Sequence, residues 1–157
     1  MANIKVFLDT DVIINWLSKE IDPKTGSELW KAPYEILKKI ESGKLLGFTT
    51  IINIMEIIFV LRRKKKWKEE KISNAISKFQ NINNLTISVP DESDVIAGYN
   101  LQTVFPLDPF DSIYFAICRK ATDYLISRDR AFINLINKAE NKPVAFTPES
   151  FLEKVRF

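Results

Sequence analysis

The chain has 157 residues, 46% hydrophobic and 27% charged, with few Gly and Pro and a net charge of +3. That length predicts one domain, 1–157, able to bury a core without disulfides or a structural metal. Histidine is absent and Cys118 stands alone, which excludes histidine triads, His-ligated zinc and an internal disulfide framework. No stretch approaches the roughly 18 apolar residues that span a bilayer, and the start is too soon acidic for a signal peptide. The expectation is a cytoplasmic protein with no membrane contact.

In chain order, Ile4–Leu8 reads as a first strand. Thr10 or Asp11 is placed to cap a helix over Val12–Leu17. A turn over 22–27 follows, with Ser27 as cap of a helix marked by Leu29, Trp30, Tyr34, Ile36, Leu37 and Ile40 at helical spacing and ended by Gly43. Leu45–Thr49 is a second strand. A helix running into Arg62–Lys66 comes next, then an amphipathic helix from Trp67 to Ile82. Leu85–Val89 is a third strand, and Asp91 caps a helix through about Val104. After the turn at Pro106–Pro109, Phe110–Thr122 is a nearly all-apolar helix. Tyr124–Ile126, Ala131–Ala139, Pro143–Phe146 and Glu149–Val155 are strand, helix, strand and helix. Short apolar strands alternating with helices predict an α/β fold: a three-layer α/β/α sandwich around a parallel sheet of about five strands.

Four acids stand against apolar runs: Asp9, Glu56, Asp111 and Asp129. Glu56 interrupts Ile51–Leu61, a segment expected to be buried, and no Lys or Arg lies at i±3 or i±4 to pair with it. A buried carboxylate without a partner is costly. In an open parallel sheet, ligands bind beyond the carboxyl ends of the strands, and all four acids fall at positions that can converge there. A hard divalent cation with oxygen ligands, Mg²⁺ or Mn²⁺, would relieve their repulsion. Each acid also has a plainer reading. Asp9 with Asp11, and Asp111, also read as helix caps, and a remote Arg or Lys could reach Glu56. Ser127-Arg128-Asp129-Arg130 also reads as a solvated turn with a surface ion pair.

The basic run Arg62-Arg63-Lys64-Lys65-Lys66-Trp67-Lys68 reads as a solvated helix end or as a phosphate-contacting patch, with Arg62, Arg63, Lys65 and Trp67 as candidate RNA contacts. Arg128 and Arg130 flank Asp129 and are candidates for holding phosphates near it.

Taken together, these residues resemble the PIN domain family, and most closely its small VapC-type ribonuclease toxins. The resemblance rests on Val6-Phe7-Leu8-Asp9-Thr10-Asp11 at the start and on Phe48-Thr49-Thr50 through Asn53-Ile54-Met55-Glu56. Phe110-Asp111-Ser112-Ile113 and Leu125-Ile126-Ser127-Arg128-Asp129 continue it, and Phe146-Thr147-Pro148-Glu149 closes the chain. It implies strand order 3-2-1-4-5 and a metal-dependent endoribonuclease. Asp9, Glu56, Asp111 and Asp129 would be both catalytic and metal-binding, with Mg²⁺ or Mn²⁺ as cofactor. Asp11, Ser127 and Asp108 would be secondary, Ser127 as a hydroxyl near the site and Asp108 as a competitor of Asp111. The implied partners are RNA, a cognate antitoxin and a second copy of the chain, with the first two helices as contact faces. A non-toxin PIN nuclease of RNA processing is the nearest alternative. Asp9-Thr10-Asp11 is also similar to the start of haloacid-dehalogenase-type phosphatases, with Asp9 as nucleophile, but their Gly-Asp pair is missing. A receiver module would leave Glu56 unexplained.

Overall fold

The computed structural model describes residues 3–139 and 141–157. Five strands, β1 (Ile4–Leu8), β2 (Leu45–Thr50), β3 (Leu85–Ser88), β4 (Tyr124–Ile126) and β5 (Val144–Phe146), form one parallel sheet in the order β3-β2-β1-β4-β5. This is the order implied by the family resemblance. It differs from the 2-1-3-4-5 order of receiver-type folds, which removes that alternative.

Among the described residues seven helices connect the strands and an eighth follows the last: α1 (Thr10–Leu17), α2 (Lys31–Glu41), α3 (Ile51–Arg63), α4 (Glu69–Gln80), α5 (Glu92–Gln102), α6 (Pro109–Ala121), α7 (Arg130–Ala139) and α8 (Pro148–Lys154). Successive side chains of a strand point to opposite faces, and β1 feeds two cores in that way. Val6 and Leu8 pack with α1, α2, α3, α4 and α8, while Phe7 packs with α5, α6 and α7 through Leu101, Phe115 and Ile136. The result is the expected three-layer α/β/α sandwich. Among the described residues no helix is long and apolar enough to cross a membrane.

Gly47 is a packing requirement. A Cβ there would stand 2.7 Å from Ile40 Cδ1 and 2.9 Å from Leu85 Cδ1, so a side chain at this position would make the Ile40 and Leu85 methyls shift. Gly43 adopts φ +79° just past α2, the left-handed conformation that stops a helix.

Local chemistry moved several boundaries. Asp9, rather than Thr10 or Asp11, caps α1 by accepting the Thr10 N–H. Ser27 is not the cap of α2; that helix begins after Trp30 without a side-chain cap, because Ser27 is engaged in the preceding turn with Asp22 and Thr25. Asp108 caps α6 by accepting the Asp111 N–H at 2.8 Å, which displaces Asp111 from the capping role. The expected burial of the whole segment Ile51–Leu61 is also corrected. Ile54, Ile57 and Leu61 are buried, but Met55 and Phe59 on the opposite side of α3 are 65% and 57% exposed.

Candidate metal centre

The chain reverses at the carboxyl edge of β1 and enters α1 through Asp9. Its carboxylate is buried and held at both oxygens: Oδ1 accepts the Thr10 N–H at 2.8 Å, and Oδ2 accepts the Ser127 hydroxyl at 2.7 Å. Ser127 follows β4, the strand beside β1. Its hydroxyl oxygen also accepts the Asp129 N–H at 3.0 Å. One buried hydroxyl thus links the acid after β1 to the turn after β4. Asp129 is exposed and caps α7, its Oδ1 accepting the Phe132 N–H at 3.1 Å.

Glu56 arrives from α3. Thr50 and Asn53 close a capping box at the start of that helix. Asn53 then donates from Nδ2 to the Thr10 hydroxyl at 2.9 Å, tying α3 to α1. Glu56 lies one turn further on, half-buried, and its Oε1 accepts the Tyr114 hydroxyl. The expectation of a fully buried, unpartnered Glu56 is therefore corrected: its partner is a phenol. Tyr114 lies on α6 three residues beyond Asp111, so one helix face presents both.

The electrostatics mark the edge as a place where negative charge accumulates. Burial, then the neighbouring Asp11 and Asp111 charges, hold the Asp9 carboxyl well above the usual carboxylate range, against the Ser127 and Thr10 hydrogen bonds. Asp111 is pushed up to about 7, by burial first, then by Asp108, Asp129 and Glu56. Burial also raises Glu56, with Asp108 adding to it and the Tyr114 bond opposing. Asp11 is pushed up to about 6, chiefly by burial, with Asp129 contributing and Arg128 opposing. These mutual influences place Asp9, Glu56, Asp111 and Asp129 around one edge, with Asp11 and Asp108 beside them.

The donor set suits a hard cation. It is oxygen-only, it repels itself, and the Asp11 Oδ1 oxygen is buried without a hydrogen-bond partner. Among the described residues, no three acids already form a ready-made metal cage. Side-chain rotation would be needed to bring them onto a shared ion; Asp129 is exposed, and Glu56 and Asp111 are half-buried.

The basic candidates divide. Arg62 pairs with Glu69, and Lys65 donates to Glu20 at 3.0 Å. Trp67 is half-buried with the Lys71 ammonium 3.9 Å from its ring centre. Arg63 and Arg130 are exposed. The solvated-turn reading of residues 127–130 is corrected at two positions, since Ser127 is buried and Arg128 is a clasp. The Arg128 backbone N–H donates to Asp11 Oδ2 at 3.1 Å. Its guanidinium donates to Asn15, to the Leu29 carbonyl at 2.7 Å, and to both Glu149 oxygens at 3.0 and 2.8 Å. An arginine so engaged positions the acids and has little left for a phosphate. Tyr114, Asn53 and this role of Arg128 were missed by sequence reasoning. The i+3 spacing from Asp111 to Tyr114 and the Thr50–Asn53 capping pattern were the available signals.

Residues 6–138 match the model of the PIN domain family. No curated protein matches the chain by sequence. Among solved structures, that of VapBC2 from Rickettsia felis bound to a DNA fragment from its promoter is similar. The likeness has a TM-score of 0.67 at 12% identity and covers 92% of this chain and 98% of that one. VapC20 of Mycobacterium tuberculosis, a sarcin-ricin loop cleaving toxin, is similar with a TM-score of 0.58 at 14% identity, over 81% of this chain and 92% of that one. At such identities the likeness is one of fold. The family match extends from β1, just before Asp9, into α7, beyond Asp129, and so encloses every acid of the edge: the chain belongs to the PIN domain family.

Proposed function

We propose that this chain is a metal-dependent endoribonuclease, one nuclease domain over residues 1–157, acting as the toxin of a type II toxin–antitoxin pair. The carrying observation is the acid edge itself: Asp9 and Asp11 after β1, Glu56 from α3, Asp111 from α6 and Asp129 after β4 act on one another's charge, and Ser127 ties Asp9 to Asp129. Family membership supports the nuclease reading. The sarcin-ricin loop cleaving neighbour supports RNA as substrate, and the VapBC2 neighbour supports an antitoxin partner. A homodimer accords with the same resemblance. The family match favours this reading over a phosphatase with Asp9 as nucleophile, as does the engagement of both Asp9 oxygens by Thr10 and Ser127.

Asp9, Glu56, Asp111 and Asp129 would hold Mg²⁺ or Mn²⁺. A bound ion would supply an activated water and stabilise charge on the scissile phosphate and leaving oxygen. Asp9 is oriented by Thr10 and Ser127, which hold one carboxylate oxygen each. Glu56, oriented through Oε1 by Tyr114, or Asp129 would take the proton of the attacking water, because no histidine exists for that task. Ser127 keeps Asp129 in register with Asp9. Arg63 and Arg130 remain as exposed cations for RNA phosphates.

The test is cleavage of total RNA with Mg²⁺ or Mn²⁺ by the wild type and by Asp9→Asn. Cleavage by the wild type, stopped by chelator and by the substitution, is expected. Undiminished metal-dependent cleavage by Asp9→Asn would overturn the proposal.

A further inference from the structure

The chain sets an arginine beside its acids and then turns it away from them. Arg128 lies in sequence between Ser127, whose hydroxyl holds Asp9, and Asp129. Its backbone N–H donates to Asp11 Oδ2 at 3.1 Å, and its guanidinium Nε donates to Asn15. Asn15 comes four residues after Asp11 on α1, so the Cβ atoms of the two stand about 5–6 Å apart on one helix face. The guanidinium is thus anchored one helical turn from the Asp11 carboxylate, and its charge favours the ionised form of that acid.

The ion pair this placement invites is not made. Asp11 Oδ1 is buried without a hydrogen-bond partner. The guanidinium instead gives Nη1 to Glu149 Oε2 at 3.0 Å, and Nη2 to Glu149 Oε1 at 2.8 Å and to the Leu29 carbonyl at 2.7 Å. Asn15 and the Leu29 carbonyl are neutral acceptors, so Glu149 is the group that balances the arginine's charge. It reaches Arg128 from the start of α8, across 21 residues of chain.

We propose that Glu149 is a positioning residue of the metal centre: by holding the Arg128 guanidinium it keeps that cation away from Asp11 and leaves the acid edge negative for a divalent ion. The inference rests on the metal-centre reading above and names what keeps the site open. A guanidinium fork fits a carboxylate with two charge-assisted hydrogen bonds. Once released from Glu149, the carboxylate already bonded to its own backbone is Asp11, which has an oxygen to spare. A pair formed there would cancel a charge that a hard cation needs from its surroundings. The arginine next to Asp129 is thereby given a part opposite to phosphate binding: its charge is spent on α8, and its backbone orients Asp11.

The experiment titrates the intact chain with Mn²⁺ and reads the free ion by its electron paramagnetic resonance, so that no cleavage is needed. Glu149→Gln removes the charge and keeps the size of an exposed side chain, and circular dichroism should show an unchanged fold. It should weaken Mn²⁺ binding by about ten- to a hundredfold, the loss usual when a group that orients a metal's ligands is removed. Glu149→Asp keeps the charge and should recover most of that loss. Glu153→Gln removes an exposed acid from the same helix and should change nothing. Arg128→Met added to Glu149→Gln takes away the released guanidinium and should restore the affinity. In cleavage, Glu149→Gln should raise the Mn²⁺ concentration for half the rate rather than lower the rate at saturation. Wild-type affinity in Glu149→Gln, or equal losses in Glu149→Gln and Glu149→Asp, would overturn the proposal without any change at Arg128. An equal loss in Glu153→Gln would overturn it by reducing the effect to net charge, and so would a double variant as weak as Glu149→Gln alone. A wild type that binds no Mn²⁺ would refute the metal centre and this inference with it; a wild type that binds Mn²⁺ with Glu149→Gln indistinguishable from it would refute the inference alone.

Discussion

Asp11→Asn should make the metal-free protein more stable while leaving its backbone in place. Asp11 is displaced from the ordinary 3.8 to about 6, mainly by burial. At about 1.4 kcal/mol per pH unit, this costs the folded state about 3 kcal/mol once the pH is above 6. An amide carries no charge to desolvate and still accepts the Arg128 N–H. It gives up the charge-assisted part of the Arg128 contact, about 1 kcal/mol, so a net gain of about 2 kcal/mol remains. For a chain of this size that is a rise in Tm of about 4–8 °C. The sign follows from linkage. Below 3.8 both folded and unfolded carboxyls are protonated and the penalty is absent. Between 3.8 and 6 only the unfolded chain ionises and the penalty grows; above 6 it is complete. At pH 4.5 the penalty should be about a third of its value at pH 8. Thermal unfolding by circular dichroism in chelator, at pH 8 and pH 4.5, measures both. Saturating Mg²⁺ should narrow the difference by stabilising the wild type, by about 2.7 kcal/mol at a hundred times Kd. A gain that does not change with pH, or a loss of stability at pH 8, would refute the reasoning.

Tyr114→Phe removes the hydroxyl that Glu56 accepts and should lower cleavage by about tenfold, as loss of a group orienting a metal ligand does; because that bond lowers the Glu56 pKa, the acid limb of the pH–rate profile should move upward. Arg128→Ala strips partners from Asn15, the Leu29 carbonyl and Glu149 and should cost about 2–4 kcal/mol in urea unfolding. Arg128→Lys should recover little of that, because an ammonium cannot serve the two Glu149 oxygens and a carbonyl together. Gly47→Ala drives a methyl into Ile40 and Leu85 and should destabilise by about 1–3 kcal/mol, with a measured change under 0.5 kcal/mol counting against the packing argument.

The architecture was legible because its signals are local. Each strand is a short apolar run closed by a turn or cap, and Asp9 and Asp129 fall just beyond two of them. What the sequence did not reveal was which of two neighbouring groups wins a backbone N–H. Asp9 prevails over Thr10 and Asp11, and Asp108 over Asp111, because the winning residue is extended and half outside its helix. The partner of Glu56 was hidden for a different reason. Tyr114 lies 58 residues away on a helix across the sheet edge, and no spacing rule along one helix reaches it. The exposed side of α3 was misread because its apolar residues continue around the helix, so periodicity could not separate the core face from the open one.

Asp9 and Asp11 are held by Ser127 and Arg128, and Arg128 in turn by Glu149. A ribosome makes Asp9 and Asp11 more than a hundred residues before Ser127, Arg128 and Glu149. The edge is thus fastened in the reverse of the order in which it is made: the acids synthesised first take their final geometry only after the sheet has been closed by β4 and β5 and α8 has docked. A growing chain that carries the leading half of the acid edge does not yet carry the edge, and this fold delays its own completion until α8 has been translated.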